Sequence, residues 1–461
     1  MSDTAIPVRL SRAGGHGRPA APVRIVHVGL GNFFRAHQAW YTHNAPDAAQ
    51  WGIAAFTGRS TAMAEALDPQ GGLYTLITRG TTDTFEVISS VCAVHAASDH
   101  DAWLTYWRAP ELAVVTLTVT EAGYLRGPGG GLDTTREDVR ADIAALRADP
   151  SAPVRTTPGR IVSGYLARRA AGAGAIAIVP CDNLPENGPA LQAVVADMIA
   201  AVDPGLADWA GENVAFGTTM VDRITPATTD DHRTAVLAAT GLLDASPVPT
   251  EPFSEWVIQG EFPKGRPAWE AAGALVVDDV VPFEQRKLWL LNGSHSLLAY
   301  AGTILGHETV ADAIGDPVAR GWVLEWWAEA SRHLSLPEAD VAAYRQALLE
   351  RFENPNIRHA LAQIAADGSQ KLPVRIVPTL RAELAAGTVP VGATRVVAAW
   401  VSHLRGLGAP VKDAREAEVR PFGEGTLEES VAKVLSFLDA DLAADRRVVD
   451  AVLAHARAFG A

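Results

Sequence analysis

Cysteine is scarce: the 461 residues hold two, Cys92 and Cys181. That is too few for a disulfide framework, and neither belongs to a CxxC pair, so a reducing cytoplasm is the expected compartment. Long apolar runs are missing as well. The best, around 170–179, contains glycines and falls well short of the roughly 18 residues that cross a bilayer, so no membrane partner is expected. Positive charge is in deficit, with 39 Lys plus Arg against 53 Asp plus Glu and a formal net charge of −14. This excludes a general nucleic-acid binder, which needs a basic face, and leaves room for a local basic pocket around a small anion. The first 22 residues lack an apolar signal-peptide core and read as a flexible lead-in. With 48 % hydrophobic and 20 % charged residues, the remainder has the balance of a globular protein, long enough for two or three domains.

The pattern predicts an α/β fold. Residues 24–31 (RIVHVGLG) form an apolar run closed by glycines, as in a buried parallel strand. A helical stretch (FFRAHQAWYTHNA) and a second strand at 51–58 complete one βαβ unit. Further strands are expected at 85–93, 112–119, 175–180 and 214–219, with helices at 135–148, 160–171 and 189–202 between them. Such alternation argues for a Rossmann-type, doubly wound sheet over residues 23–283. From 284 to 461 helical periodicity dominates, notably at 318–331, 338–352, 382–386 and 427–443, predicting a mainly α-helical domain.

Gly29 and Gly31 close the first strand and open a helix. Glycines there permit a tight turn and let a pyrophosphate approach the helix's first N–H groups. Asn32 and Phe33 share that turn and count as cofactor-binding candidates, and Arg35 is placed to support phosphate. The third glycine of the usual fingerprint is absent, Phe34 standing in its place, so a tight turn without a ligand is the alternative. After the second strand, where an acidic residue would bind the ribose of NAD, the chain has Arg59 and Ser60. A cation and a hydroxyl suit a 2′-phosphate, leaving NAD or NADP open. Glu121 ends a strand at the edge where such sheets meet ligand.

The sharpest constellation is EQRKLWLLNGSHSLLAY, 284–300. On an α-helix at about 100° per residue, Lys287 stands at 0°, Glu284 near 60°, His295 near 80° and Asn292 near 140°, all on one side. Polar groups gathered on an otherwise apolar helix are costly unless they line a cavity. Oxidising a secondary alcohol needs a base for the hydroxyl proton and donors for the alkoxide. Lys287 is the candidate base, with Arg286 and His295 as cations to lower its pKa. Asn292 offers an uncharged amide donor, and Glu284 a relay for the proton. A capped surface helix with a solvated Lys–Glu face is the competing reading, and the joint Lys/Asn/His pattern disfavours it.

GLGNFFRAHQAWY, TVTEAGY, CDNLPENG, WVIQGEFPKGRPAWE and KLWLLNGSHSLLAY occur in this order. Together they resemble the mannitol dehydrogenase family of polyol-specific long-chain dehydrogenases, over residues 24 to beyond 380. The resemblance implies a Rossmann-type domain followed by a helical one, an active site in the cleft between them, and zinc-independent chemistry. It implies Lys287 as catalytic base and Asn183 with Asn292 as the amides that stabilise the oxyanion. It further implies Glu284 as proton relay, and His295, Asp222 and Lys371 as substrate contacts. Where mannitol-active members carry an arginine eight residues before that lysine, this chain has Gln363, and 363–375 looks closer to the fructuronate (mannonate) reductases. Phe34 replaces a histidine common in the family's opening stretch.

These readings favour a cytoplasmic, NAD(P)-dependent oxidoreductase with a D-mannonate/D-fructuronate-type substrate. Mannitol 2-dehydrogenase or D-arabinitol dehydrogenase chemistry is the close alternative, and a catalytically silent nucleotide-binding protein the alternative of another class. The expected partner is a small sugar alcohol, aldonate or keto sugar. No metal site is expected, and the chain should be a monomer or weak oligomer. Trp322, Trp326 and Trp327 read as core packing, 127–131 (GPGGG) as a flexible rim loop, and His37 and His43 as packing or surface residues.

Overall fold

The computed structural model describes residues 7–58 and 60–461. The chain divides into two units, Met1–Val280 and Val281–Ala461. The boundary lies three residues before the expected one, because Val281 already opens a helix, Val281–Arg286. Pro282 belongs to its first turn, where a missing N–H costs nothing.

The first unit is built on six parallel strands: β1 Val23–Val28, β2 Gly52–Phe56, β3 Val91–His95, β4 Val114–Leu117, β5 Ile176–Pro180 and β6 Val214–Phe216. Their order across the sheet is 3-2-1-4-5-6, the doubly wound Rossmann arrangement. Each strand is apolar on both sides. Val26, Val28, Ala54 and Phe56 face a cluster with Trp103, Trp107 and Ile161, while Ile25, Ile53 and Ala55 face Phe34, Tyr74 and Trp256. Period-2 alternation thus feeds two cores at once.

Two expected strands are each two strands in different sheets. The run predicted at 85–93 divides into Asp83–Ile88, antiparallel to Tyr74–Arg79, and β3. Ser89 and Ser90 make the break: Ser89 N–H donates to His43 Nδ1 (2.9 Å) and the Ser90 hydroxyl to the Ala39 carbonyl (2.7 Å). The run predicted at 214–219 divides into β6 and Thr218–Asp222, which pairs antiparallel with Glu255–Gln259. Here the buried Asn187 side chain exchanges two 3.0 Å bonds with the Thr219 main chain. The helical stretch after the glycine turn likewise breaks at His37, into Asn32–Ala36 and Gln38–Asn44.

Residues 8–12 of the lead-in are not the flexible tail expected there, and residues 1–6 lie outside the described residues. Val8–Arg9 pairs parallel with Leu242–Leu243, Leu10 is fully buried, and Arg12 donates to the carbonyls of Gly71, Ser89 and Val91. A two-residue strand and one arginine are too short to announce themselves in a pattern.

Among the described residues the second unit has helices and no strand. Its longest are Pro317–Ser331, Glu338–Phe352, Val391–Leu404, Leu427–Leu438 and Arg446–Ala458. The helix predicted at 427–443 stops at Leu438 because Asp439 turns to an extended φ of −172° and caps Ala440–Ala444, accepting from Asp441 N at 2.8 Å. No helix among the described residues is long and apolar enough to cross a membrane.

One side chain ties much of the sheet unit together. Arg168, fully buried near the end of Thr157–Ala171, donates to the carbonyls of Trp107, Ala109, Leu112, Ala173, Gly174 and Ala175 at 2.7–3.2 Å. Replacing Arg168 by Met, which fills similar space without donors, leaves these carbonyls short of partners at about 3 kcal/mol or more. Thermal unfolding of R168M should therefore begin roughly 6–12 °C below wild type. A midpoint within about 2 °C of wild type refutes this role.

Candidate functional site

The glycine turn lies where β1 ends. Gly29 has φ +110°, and a Cβ there would stand 2.4 Å from the Thr118 carbonyl, so only glycine fits. Gly29 and Leu30 both donate to the Phe56 carbonyl at 3.0 Å, fixing the turn to the neighbouring strand. Gly31 is the N-cap of Asn32–Ala36 and supplies no side-chain cap, which leaves the first-turn N–H groups for an anion. Phe34, in place of a third glycine, is buried and stacks on His27 at 3.5 Å. Burial holds His27 down at about 3, hence neutral, and it bonds Thr116 Oγ1 (2.8 Å) and Thr118 Oγ1 (3.0 Å). A neutral stacked pair thus floors the turn.

Arg35 points inward. Its guanidinium donates to the Ser246 carbonyl (2.5 Å), the Asn32 side-chain oxygen (2.6 Å) and the Gly31 carbonyl (3.3 Å). It is fully buried, so it braces the turn from beneath, a different post from the phosphate contact expected of it. Asn32 in turn donates to the Pro226 carbonyl and Thr228 Oγ1. Phe33 is half-buried and stacks on His37. Past β2, exposed Ser60 accepts from Ala62 N (3.2 Å), and Arg59 lies outside the described residues. The 127–131 segment is not loose: Arg126 bridges Leu132, and Leu132 N donates to Asp197 (2.8 Å).

The carboxyl ends of β4 and β5, adjacent in the sheet, bring together two of the quoted motifs. Glu121 opens the short helix Glu121–Tyr124, and Asn183 is exposed just beyond β5. Between them the Tyr124 hydroxyl donates to Asp182 at 2.5 Å. Burial raises the Asp182 carboxyl to about 6, the Glu121 charge adds to the rise, and the Tyr124 and Leu184 hydrogen bonds oppose it. Tyr124 and Asp182 lie within TVTEAGY and CDNLPENG, and no pattern in the sequence singles them out. Their signal was topological, since each follows one of two neighbouring strands. Asp222, buried at the end of Thr218–Asp222, completes the expected residues of this unit.

In the helical unit the backbone departs from the α form assumed for 284–300. Val281–Arg286 is α-helical, Lys287–Asn292 is a π-helix, Gly293–Leu297 is α-helical, and Leu298–Gly302 is again π. In a π-turn the bonds run i→i+5 and a turn takes rather more than four residues. Asn292, five residues on, therefore stands closer to the direction of Lys287 than α geometry, at about 140°, would put it. Glu284 lies three residues before Lys287 and His295 three after Asn292, the ordinary neighbour spacing. The four form one continuous strip, with Glu284 and His295 buried and Lys287 and Asn292 half-buried.

A π-turn weakens carbonyl pairing, and here side chains supply the donors. Trp326 Nε1 donates to the Trp289 carbonyl (2.8 Å), Trp327 Nε1 to Leu290 (3.0 Å), Ser294 Oγ to Leu290 (2.6 Å) and Arg375 Nη1 to Asn292 (3.2 Å). Trp326 and Trp327 are fully buried, as packing residues should be, and also hold this backbone. Lys371, half-buried on Gly368–Arg375, donates to the Ile364 (3.1 Å) and Ala366 (2.5 Å) carbonyls. Burial, then the neighbouring Arg375, lowers its ammonium from the usual lysine range. Gln363 is exposed on Leu361–Ile364. No group of three or more His, Cys, Asp or Glu that could hold a metal occurs among the described residues.

Residues 23–271 match the family model of the mannitol dehydrogenase Rossmann domain, and 279–459 that of the mannitol dehydrogenase C-terminal domain. The chain belongs to the mannitol dehydrogenase family. It is 40 % identical over 395 residues to the D-mannonate oxidoreductase of Escherichia coli K12, covering 83 % of this chain and 80 % of the relative. Over 400 residues it is 38 % identical to the D-arabinitol 4-dehydrogenase of Ralstonia nicotianae, covering 84 % of each. The mannitol 2-dehydrogenase of Pseudomonas fluorescens, solved with NAD and D-mannitol, superposes with a TM-score of 0.78 at 32 % identity, covering 95 % of this chain and 92 % of that one. This member of the mannitol dehydrogenase family is thus an oxidoreductase with a Rossmann-type domain and a helical domain.

Two outcomes follow. Trp326→Phe removes the N–H that holds the Trp289 carbonyl and should lower kcat about tenfold, about 1.4 kcal/mol of barrier, without changing nucleotide affinity; unchanged kcat refutes the bracing role. For Asp182, the folded pKa near 6 exceeds the unfolded 3.8, so the fold holds a proton that the unfolded chain releases. This contribution is full below pH 3.8 and is lost as pH rises through 6. Melting of Asp182→Asn and wild type across that window should show the variant gaining on wild type; parallel curves refute it.

Proposed function

We propose that the chain transfers hydride between NAD or NADP and a secondary alcohol carbon of a linear polyol or aldonate, interconverting it with the keto sugar. The strip Glu284–Lys287–Asn292–His295 carries this reading. It presents an amine, an amide and an imidazole on one helix face, the set that alcohol oxidation needs. The Gly29–Gly31 turn, open first-turn amides and a glycine that no Cβ could replace suit a dinucleotide pyrophosphate. Gly29, Gly31, Asn32 and Phe33 would hold it, with Ser60 and Arg59 at the ribose and Glu121 toward the nicotinamide end. When bound, the nicotinamide supplies the hydride acceptor.

In the oxidative direction Lys287 takes the hydroxyl proton as the carbon loses its hydride, and Glu284 passes that proton onward. Asn292 donates its amide N–H to the developing alkoxide, where an uncharged donor stabilises without adding a full positive charge beside the hydride path. His295 and Lys371 orient the sugar. On the sheet unit, Asn183 is the second amide donor and Asp222 a substrate contact, the roles the resemblance assigns.

For the substrate, the proposal is a D-mannonate/D-fructuronate-type pair. Its support is Gln363 in place of the arginine of mannitol-active members, together with the 40 % identity to the E. coli D-mannonate oxidoreductase. Mannitol or D-arabinitol oxidation is the second reading, favoured by the identity to the Ralstonia enzyme. The enzyme is proposed to act in the cytoplasm as a monomer or weak oligomer. Lys287→Ala should lower kcat by about a thousandfold or more and leave nucleotide binding by fluorescence titration intact. Retained turnover in that variant overturns the mechanism.

A further inference from the structure

Asn183 is exposed, yet the chain on either side of it is pinned. Before it, Cys181 N donates to the Leu117 carbonyl (2.7 Å) and Thr219 Oγ1 to the Pro180 carbonyl (2.7 Å). After it, the buried Asn187 side chain donates to the Asp182 carbonyl (3.3 Å) and bonds the Thr219 main chain. The Asp182 carboxylate closes the turn itself. Its Oδ1 accepts from Leu184 N at 3.1 Å, so a hydrogen-bonded ring spans Asn183. Its Oδ2 accepts from the Tyr124 hydroxyl at 2.5 Å, a donor carried by the segment that follows the neighbouring strand β4.

Each carboxylate oxygen thus has a fixed donor from a different segment, and the group is held in one direction. The arrangement has a cost, since burial has raised the Asp182 carboxyl to about 6, and a main-chain carbonyl would satisfy a buried tyrosine more cheaply. Burial, then the Asp182 charge, raise the Tyr124 hydroxyl, which therefore stays a donor. The other titratable groups facing the pair are Glu121, Arg126 and the Cys181 thiol, which burial keeps protonated. What the cost secures is direction at the next residue. An oxyanion donor works only where it is held toward the developing charge, and a misplacement of about 1 Å can cost about a hundredfold in rate.

We propose that Asp182, held by Tyr124, is the positioning residue that aims the Asn183 amide at the developing alkoxide. This rests on the reading of Asn183 as an oxyanion donor. Asp182 and Tyr124 act through Asn183 and take no part in proton transfer. An ionised carboxylate accepts hydrogen bonds more strongly than a neutral acid. The aim is therefore firm above pH 6 and loosens as Asp182 takes up its proton below it.

The test is a double-mutant cycle on kcat, with NAD or NADP and whichever of D-mannonate, D-mannitol and D-arabinitol wild type oxidises fastest. Asn183→Ala should lower kcat about a hundredfold. Tyr124→Phe keeps the ring, loses the donor, and should lower kcat about tenfold with nucleotide affinity within about twofold. Made in the Asn183→Ala background, Tyr124→Phe should cost no more than about twofold further. General loosening of the sheet edge would instead lower kcat alike in both backgrounds. Asp182→Asn removes the charge, so wild type should exceed it about fivefold near pH 8 and converge on it near pH 5. That ratio cancels the limb that Lys287 gives to both enzymes, and it decides alone if the phenylalanine variant does not fold. Unchanged kcat in Tyr124→Phe, equal losses in both backgrounds, or a ratio flat with pH would each overturn the inference alone. Wild-type kcat in Asn183→Ala overturns the amide reading of Asn183, and a wild type inert on all three sugars overturns the proposed function; the inference falls with either.

Discussion

Two indole N–H groups fixed on main-chain carbonyls set the geometry of the strip in the helical unit. A helix that widens to i→i+5 pairing gives up the usual geometry of several carbonyls, and a buried carbonyl without a partner is expensive. Trp326 and Trp327 meet that demand at Trp289 and Leu290, and Arg375 meets it at Asn292. Gly293 makes room, since a Cβ there would stand 2.8 Å from the Trp326 ring. The widened turn then brings an amine and an amide closer in direction than an α-helix would. Packing residues thereby decide the direction of the residues proposed to act on the substrate.

The same economy appears among the arginines. Arg35, Arg168 and Arg223 are buried in the sheet unit and donate chiefly to main-chain carbonyls. A net charge of −14 thus understates how few cations are left for ligands. Of those expected at ligands, Arg35 serves the backbone, while Lys287 and Lys371 stand half-buried in the helical unit. A few desolvated cations in a protein of excess negative charge can still attract an anion, because their effect is local.

Much of the fold was legible because hydrophobic periodicity is dense where a parallel sheet is buried on both faces. Four of the six strands of the main sheet lie within the stretches expected to form it and the other two overrun theirs by one or two residues, while the helices 338–352 and 318–331 were placed to within a residue. What periodicity could not show was where one apolar run changes sheets, as at Ser89–Ser90 and before Thr219, where a pair of side-chain hydrogen bonds decides. Nor could it show the π-turns, since an apolar pattern does not reveal which carbonyls a distant tryptophan will reach. The strip was legible as a set of residue types, and its alignment was not. Tyr124 and Asp182 were readable as letters, but their pairing depends on two strands being neighbours, a property of topology.

Arg168 shows what such a position permits in a lineage of sequences. Its planar fork reaches six carbonyls in two chain segments, 107–112 and 173–175, and only a delocalised group with five N–H bonds has that reach. Lysine keeps the charge but offers three donors from a single point, so the nearest chemical relative is not a substitute here. Charge could be conserved while the backbone came apart. A buried arginine of this kind is a fold determinant that reads, in sequence, as an ordinary surface cation.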